Sequence, residues 1–186
     1  MDQLPRYAIM TELVVQLDAH QSWCGETHIQ KATFFLQELL QVPMDFDFIL
    51  YMYGPFSFDL HDELAAMLNY QLLELKSPML RYGPRWSTKS NADKIRHNHS
   101  AVIDNYRRQI EFVATQLGPK RVGELEKLAT ALYLVRQHPN ESDEQLSVKM
   151  NELKPHVTVE DARTALREFH EMRREAGALV APSVAA

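Results

Sequence analysis

The side chains best suited to acid–base or metal chemistry occur close together in one short run that contains Asp59, His61, Asp62 and Glu63. Carboxylates and imidazoles bind metals and transfer protons, but ligands on one helix face need a spacing of three or four residues. Asp59 and Glu63 have that spacing, yet two carboxylates on an exposed helix face are typical of a solvated surface. The run therefore predicts a polar helix surface and no metal site.

Two further histidines and a cysteine complete the set of candidate catalytic groups. His97 and His99 are two residues apart, a spacing that cannot share a metal on a helix. Cys24 follows Trp23 and is more typical of a small apolar filler than of a nucleophile. The sequence contains no His-Glu-x-x-His, phosphate-loop, Gly-x-Ser-x-Gly or Cys-x-x-Cys motif. We predict no catalytic residue, no metal and no cofactor, and hence a binding module rather than an enzyme.

Composition indicates a soluble protein. The 186 residues can bury a core, and 45% hydrophobic with 24% charged residues is ordinary for a globular chain. No apolar run approaches the roughly 20 residues that cross a bilayer, and the stretch from Met1 to Arg6 is unlike a signal peptide. A single cysteine excludes an internal disulfide and is typical of a reducing compartment. These features predict a cytoplasmic location without a membrane partner.

Charge is unevenly distributed along the chain. Residues 76–108 contain eight basic and two acidic residues, a net charge of +6, which leaves −11 for the remainder of a chain whose total is −5. Such asymmetry indicates either a basic face for an acidic partner or charges that merely solvate a hairpin and a helix. Both interpretations remain open at the level of the sequence.

The rest of the predicted fold is organised around the stretch from Cys24 to Tyr70. Thr27 and Gln30 have the spacing of a capping box, which predicts a helix that begins at His28. Apolar residues at helical spacing give this helix a wide stripe that another element must cover. Pro43 ends it.

A strand and a second helix follow. Residues 46–53 are rich in aromatic and aliphatic side chains on both faces, which predicts a strand buried on both sides. Gly54 and Pro55 break this strand. Ser57 can cap the helix 58–70 that comes next. The stretch therefore predicts a rigid unit with a sharply placed second helix.

Parts of this unit resemble two related bacterial families. A Gln-Lys step that opens a helix is combined with an aromatic Gly-Pro turn in the residues Gln30, Lys31, Tyr53, Gly54, Pro55, Phe56 and Ser57. This motif resembles the SocA-like antitoxin domain, also called Panacea, and the YwgA-like phage-associated proteins. Residues 128–133 and 152–156 resemble the YwgA-like group in particular, and the resemblance covers most of residues 25–172. It implies a fold, and an antitoxin or adaptor that holds a partner protein inactive.

A β-hairpin is predicted after the second helix. Short alternating strands within residues 72–89 flank a turn. Two helices followed by a hairpin is the order of a winged helix, with residues 57–70 as recognition helix and 72–89 as wing. The alternative is an irregular hairpin that only packs on the core. The winged-helix interpretation gives an alternative function, a DNA-binding transcriptional regulator, although Asp59 and Asp62 would then face phosphates.

The hairpin and the neighbouring helix also supply a candidate surface for a partner protein. Its predicted partner-binding residues are Arg81, Tyr82, Arg85, Trp86, Phe58 and His61. Interface hot spots favour Arg, Tyr and Trp. The same aromatic side chains could instead stack on nucleotides or be buried in the core.

The remaining sequence predicts further helices. A first helix covers residues 3–19, and a long helix covers about 93–117 and stops at Gly118. Apolar spacings of three and four give the long helix a seam that either packs within the domain or joins two copies. Three helices follow, two of them with capping boxes at Ser142 and Thr158.

We predict a mostly α fold of the α+β type, a helical domain with a small hairpin that is winged-helix-like. Residues 1–118 form this domain, residues 119–178 form a three-helix module packed on it, and residues 179–186 form a flexible tail. The predicted function is a non-catalytic protein-interaction module, an antitoxin or adaptor whose partner is a toxin or a phage- or defence-related protein. Nucleic acid is the less favoured partner, and the chain is a monomer or a homodimer.

Overall fold

The computed structural model describes residues 1–76 and 83–179. The fold is mostly helical (66%), with eight helices and two small antiparallel two-strand sheets in these residues, which confirms the predicted fold class. The helices are α1 (Gln3–Ala19), α2 (Glu26–Glu38), α3 (Phe58–Asn69), α4 (Ser90–Asn98), α5 (Ser100–Leu117), α6 (Val122–Gln137), α7 (Asp143–Leu153) and α8 (Val159–Ala176). The strands are β1 (Ile49–Tyr51), β2 (Gly54–Phe56), β3 (Leu73–Lys76) and β4 (Arg85–Thr88). None of the described helices combines the length and the apolar composition needed to cross a membrane.

One apolar core joins the N-terminal and C-terminal helices. Helix α1 packs mainly against α5 and also against α4 and β4. Helix α6 packs against α2, β2, α7 and α8, so it connects the two halves of the chain. The core includes buried side chains from both halves, such as Leu13, Phe35, Leu128 and Phe169. The residues on either side of position 118 are thus packed on each other through α2, β2 and α6.

The first hairpin differs from the predicted buried strand. Strand β1 has only three residues and pairs with β2 in the register Ile49↔Phe56, Leu50↔Pro55 and Tyr51↔Gly54. Ile49 and Tyr51 are each about half exposed. The prediction of a strand buried on both sides over 46–53 was therefore wrong. The strand covers only three residues, the chain turns back after it, and Tyr51 and Tyr53 face solvent.

The second hairpin has the predicted pairing. Strands β3 and β4 are antiparallel, with Leu73 opposite Thr88 and Leu75 opposite Trp86. Strand β4 also packs against α1. The prediction of a hairpin within 72–89 is confirmed, and the strand contact with α1 fixes the hairpin on the helical core.

The predicted long helix is two helices. Helix α4 begins at Ser90, and the backbone leaves helical geometry at His99 (ψ 28°) before α5 starts. The apolar seam of α5, which includes Ile110 and Val113, is buried, and α5 packs against α1. The seam therefore packs within the molecule.

The capping predictions have mixed outcomes. Ser57 accepts a hydrogen bond from the Leu60 amide (3.2 Å), and Thr158 accepts one from the Asp161 amide (3.1 Å). The reciprocal bond that would complete the predicted box at Thr158 does not form. Ser142 and Gln145 form the predicted reciprocal box at the start of α7. The capping box at residue 27 was wrong: α2 begins at Glu26, with Gly25 as its N-cap and no side-chain cap. The Gln30 side chain, which was expected to complete the box, forms hydrogen bonds with the Ser57 backbone instead.

Candidate functional site

Gln30 holds the start of α3 instead of capping its own helix. Its side chain is fully buried, and Nε2 donates to the Ser57 carbonyl oxygen at 2.9 Å. The Ser57 amide donates in turn to Gln30 Oε1 at 3.0 Å. Both backbone polar groups of Ser57 are thus paired inside the protein, where unpaired groups would be costly. Gln30 thereby fixes the end of the turn at 54–57 to α2.

Lys31 holds the neighbouring carbonyl group. Its side chain is buried, and Nζ donates to the Pro55 carbonyl oxygen at 2.9 Å. Burial lowers the pKa of Lys31 to about 8, and the nearby Glu126 carboxylate opposes part of that shift. A buried ammonium is retained here because a carbonyl and a carboxylate both face it.

Gly54 lies between Lys31 on α2 and helix α6. Its φ of +84° falls in the region that favours glycine, and an added Cβ would lie 3.3 Å from both the Glu126 carbonyl oxygen and Thr130 Oγ1. The same Cβ would be 3.5 Å from Lys31 Cε. Glycine is required both for its backbone angle and for the close approach of β2 to α6.

Lys154 reaches the hairpin from the end of α7. Its buried Nζ donates to the carbonyl oxygens of Tyr51 and Met52, at the turn between β1 and β2. The same Nζ lies 3.4 Å from Glu126 Oε1, an almost fully buried oxygen without a hydrogen bond in the described part of the chain. His156 Nε2 lies 3.2 Å from that oxygen. We call Gln30, Lys31, Glu126 and Lys154 the hairpin clamp.

The solvent side of the first hairpin is aromatic. Eleven large hydrophobic side chains in the described residues are exposed, and five of them lie between positions 49 and 58. The rings of Phe56 and Phe58 have centroids 5.1 Å apart, and Tyr51 lies 5.8 Å from Phe56 and 5.7 Å from Phe58. We call Tyr51, Phe56 and Phe58 the aromatic face, and Met52 and Tyr53, which are more than half exposed, the hairpin tip.

Carboxylates lie beside the aromatic face. His61 Nδ1 is 2.6 Å from Glu26 Oε1, and this hydrogen bond raises the pKa of the exposed His61. The His61 ring is also 6.2 Å from Phe56. Asp59 and Asp62 are exposed on α3. The structure thus brings the predicted residues Phe58 and His61 together, in a setting that is acidic.

The predicted site residues of the second hairpin lie in a different setting. Arg85 pairs with Asp18, and its guanidinium carbon is 5.9 Å from the Trp23 ring centroid. Trp86 is only 6% exposed, and its amide donates to the Cys24 carbonyl oxygen at 2.8 Å. A ring buried to this extent is unavailable to a partner, so we remove Trp86 from the candidate surface. Arg81 and Tyr82 lie outside the described residues.

Ion pairs neutralise much of the basic segment. Its cations that pair with carboxylates are Lys76 with Glu74, Arg85 with Asp18, Arg96 with Glu12 and Asp93, and Arg107 with Asp104. Three of these carboxylates belong to residues that precede the segment in the chain. The excess of positive charge in the sequence therefore does not become an equal excess on the surface.

The candidate acid–base residues do not assemble. Glu63 forms an ion pair with Arg6 and makes no shared site with Asp59 in the described residues. Cys24 is buried, and burial raises the pKa of its thiol to about 11, which keeps it protonated and unreactive near neutrality. Within residues 1–76 and 83–179, no group of three or more His, Cys, Asp or Glu side chains is placed to hold a metal ion.

Comparison with known proteins adds no assignment. No family model matches the chain, and no curated protein matches it in sequence. The resemblance to SocA-like and YwgA-like proteins stays a prediction. What the geometry adds is a role for its motif, since Gln30, Lys31 and Gly54 all position the first hairpin.

Sequence reasoning named part of this site, including Gln30, Lys31 and Phe58, but missed several of its residues. Tyr51 and Met52 were assigned to a buried strand, and neither Glu126 nor Lys154 was selected. A weak indication was present for Lys154, which precedes Pro155 in the second resembling segment. Its contact with Tyr51, 103 positions earlier in the chain, has no local pattern.

Proposed function

We propose that this protein is a non-catalytic protein-interaction module whose partner surface is the aromatic face together with the hairpin tip. The observation that carries the proposal is a group of aromatic rings on the first hairpin and the start of α3, of which Tyr51 and Phe58 are exposed. Buried side chains hold the backbone of this hairpin on its inner side. Exposed clusters of large apolar side chains mark interaction sites in soluble proteins. Aromatic side chains also dominate the energetics of interfaces.

The cost of the hairpin clamp supports this proposal. Burying charged groups such as Lys31, Glu126 and Lys154 is expensive and rarely improves stability over apolar packing. Here the buried charged groups fix a hairpin of two three-residue strands. Such a hairpin would by itself be only marginally stable in water. A fixed hairpin presents its rings in one arrangement, which lowers the entropy lost on binding.

The resemblance to SocA-like proteins suggests the kind of partner that this surface binds. We infer an antitoxin or adaptor that holds a toxin, or a phage- or defence-related protein, inactive. The alternative of a DNA-binding regulator has less support. Asp59 and Asp62 are exposed on the proposed recognition helix, and four of the eight cations of the basic segment pair with carboxylates in the described residues.

Co-purification with a matched control tests the proposal. The double variant Tyr51→Ser with Phe58→Ser removes two rings of the aromatic face. The control Val148→Ser changes another exposed apolar side chain, on α7. Tagged parent and variants are expressed in the native host, and captured proteins are compared by quantitative mass spectrometry. We expect a protein that the parent and Val148→Ser retain and the double variant loses.

Circular dichroism and thermal unfolding establish that each variant is folded. A partner retained equally by the folded double variant would contradict this surface, and the absence of any specifically captured protein would contradict the function.

A further inference from the structure

The surroundings of the aromatic face are acidic on the side of α2 and α3. Phe58 begins α3. Asp59 is the next residue, and Asp62 lies about one helical turn after Phe58. Residues four apart on a helix are neighbours on its surface, so Asp62 lies beside Phe58. Glu26 reaches the same region through its hydrogen bond to His61. We call Glu26, Asp59 and Asp62 the acidic rim.

The charge of this rim is only partly balanced by its neighbours. His61, the one basic side chain paired with the rim among the described residues, is held by Glu26 and leaves Asp59 and Asp62 without an ion pair there. Lys31 and Lys154 lie behind the hairpin and are buried against its carbonyl oxygens. From the solvent, the aromatic face is therefore bordered by negative charge on this side.

We infer that the partner presents an apolar pocket bordered by lysine or arginine side chains, which receives the aromatic face and pairs with the acidic rim. This inference rests on the proposed function and specifies the chemistry of its partner. Complementary charge at the edge of an interface increases the rate of association and makes it depend on salt, while the central aromatic contacts supply most of the affinity. A partner with an acidic groove, which the basic hairpin suggested, would meet like charge at this rim.

Site-specific photo-crosslinking locates the surface and identifies the partner. A benzophenone amino acid replaces Tyr53 at the hairpin tip or Phe58 in the aromatic face, and replaces Val148 on α7 or Leu4 on α1 as exposed controls. Cells of the native host that express each folded variant are irradiated, and the adducts are identified by mass spectrometry. We expect one protein linked through positions 53 and 58 and not through 4 or 148.

Binding of the purified partner then tests the charge. The double variant Asp59→Asn with Asp62→Asn neutralises two rim carboxylates, and Glu160→Gln with Glu171→Gln makes the same change in net charge on exposed positions of α8. Association rates are measured at low and at physiological salt. We expect the rim variant to associate more slowly, on the order of tenfold at low salt, and to lose salt dependence, while the α8 variant behaves like the parent.

Each other outcome overturns a defined part of the inference. Adducts at 53 and 58 with a partner whose association ignores salt and the rim variant would remove the basic pocket and leave the proposed function intact. Adducts only at positions 4 or 148 would remove this surface but leave an interaction module. Folded variants that give no protein adduct at any position, or that crosslink to nucleic acid, would overturn both.

Discussion

Gly54 combines two requirements that a side chain cannot meet. Its φ is positive, and a β-carbon added to it would lie 3.3 Å from both the Glu126 carbonyl oxygen and Thr130 Oγ1 on α6. Strain in this region of backbone space costs energy in any residue with a β-carbon. A β-branched side chain would also force β2 away from α6.

Replacing Gly54 with valine should therefore lower the free energy of unfolding by about 1–3 kcal/mol. The matched control is Gly123→Val, because an added β-carbon at Gly123 meets no atom within 4 Å. Urea denaturation of both variants measures the difference. Equal stability of Gly54→Val and the parent would show that the turn does not depend on glycine.

Lys31 links the hairpin clamp to pH. Burial lowers the pKa of Lys31 from 10.5 to about 8 in the folded protein. Between pH 8 and 10.5 the unfolded chain therefore binds more protons at this group than the folded protein does, so this group's contribution to stability rises with pH. Below pH 8 both states carry the proton and the cost of burying the charge is fully present.

The variant Lys31→Met should lose this rise. We expect the stability of the parent relative to Lys31→Met to increase between pH 8 and 10.5, measured by urea denaturation at several pH values. Comparison with a variant is needed because Cys24, whose pKa is raised to about 11, contributes a fall in the same range. Lys94 is exposed, so the stability of Lys94→Met should change with pH as that of the parent does. If the stability difference between the parent and Lys31→Met is as independent of pH as the difference for Lys94→Met, the role of burial is contradicted.

At the scale of elements, α6 and the end of α7 hold a hairpin that comes from the other half of the chain. Lys154 contacts the turn of the hairpin, and Glu126 contacts Lys154. Removal of one partner from a buried ion pair leaves the other charge uncompensated. The hairpin and the two helices are thus coupled through a few polar contacts.

A double-mutant cycle measures that coupling. Lys154→Met alone should destabilise the protein by about 3–5 kcal/mol, because the buried Glu126 carboxylate would lose the Lys154 ammonium that lies 3.4 Å from its Oε1. Adding Glu126→Gln should recover part of the loss, so that the double variant is less destabilised than the sum of the single variants by at least about 1 kcal/mol. Strict additivity in urea denaturation would mean that the two side chains act independently.

Hydrogen exchange connects this cycle to the surface. The amide groups of residues 49–56 should exchange faster in Lys154→Met than in the parent, because the carbonyl oxygens of Tyr51 and Met52 lose their donor. Unchanged protection would show that α2 alone fixes the hairpin.

At the scale of the whole molecule, charge distribution separates the two candidate functions. The net charge is −5, and the basic segment pairs with carboxylates on α1, α4, α5 and β3. Helix α3 presents carboxylates where a recognition helix would approach phosphates. Neither feature favours a nucleic-acid surface.

We therefore predict only weak binding of duplex DNA, with a dissociation constant no tighter than about 10⁻⁶ M at physiological salt and without sequence preference. Fluorescence anisotropy with a pool of random duplexes at two salt concentrations measures it. Tight binding that selects one sequence from the pool would instead favour the regulator.

Local patterns in the sequence predicted much of the secondary structure. Helix caps at Ser57, Ser142 and Thr158 were predicted because a cap depends on residues within one helical turn. The pairing of β3 with β4 was predicted because alternating strands around a short connection are also a local pattern. The same reasoning failed for the box at Thr27, since Gln30 has a better partner 27 positions away.

The position of the aromatic face was decided by tertiary structure alone. A run of aromatic and aliphatic residues does not show which of its faces will pack against the core. The sequence of residues 46–53 is as consistent with burial as with exposure. The exposed side of the hairpin is set by the packing of β2 on α6 and by the hydrogen bonds from Lys154 to the hairpin turn. Lys154 lies more than 100 positions away from that turn in the chain. Contacts of that range leave no period in the sequence, because they depend on how the helices pack against one another.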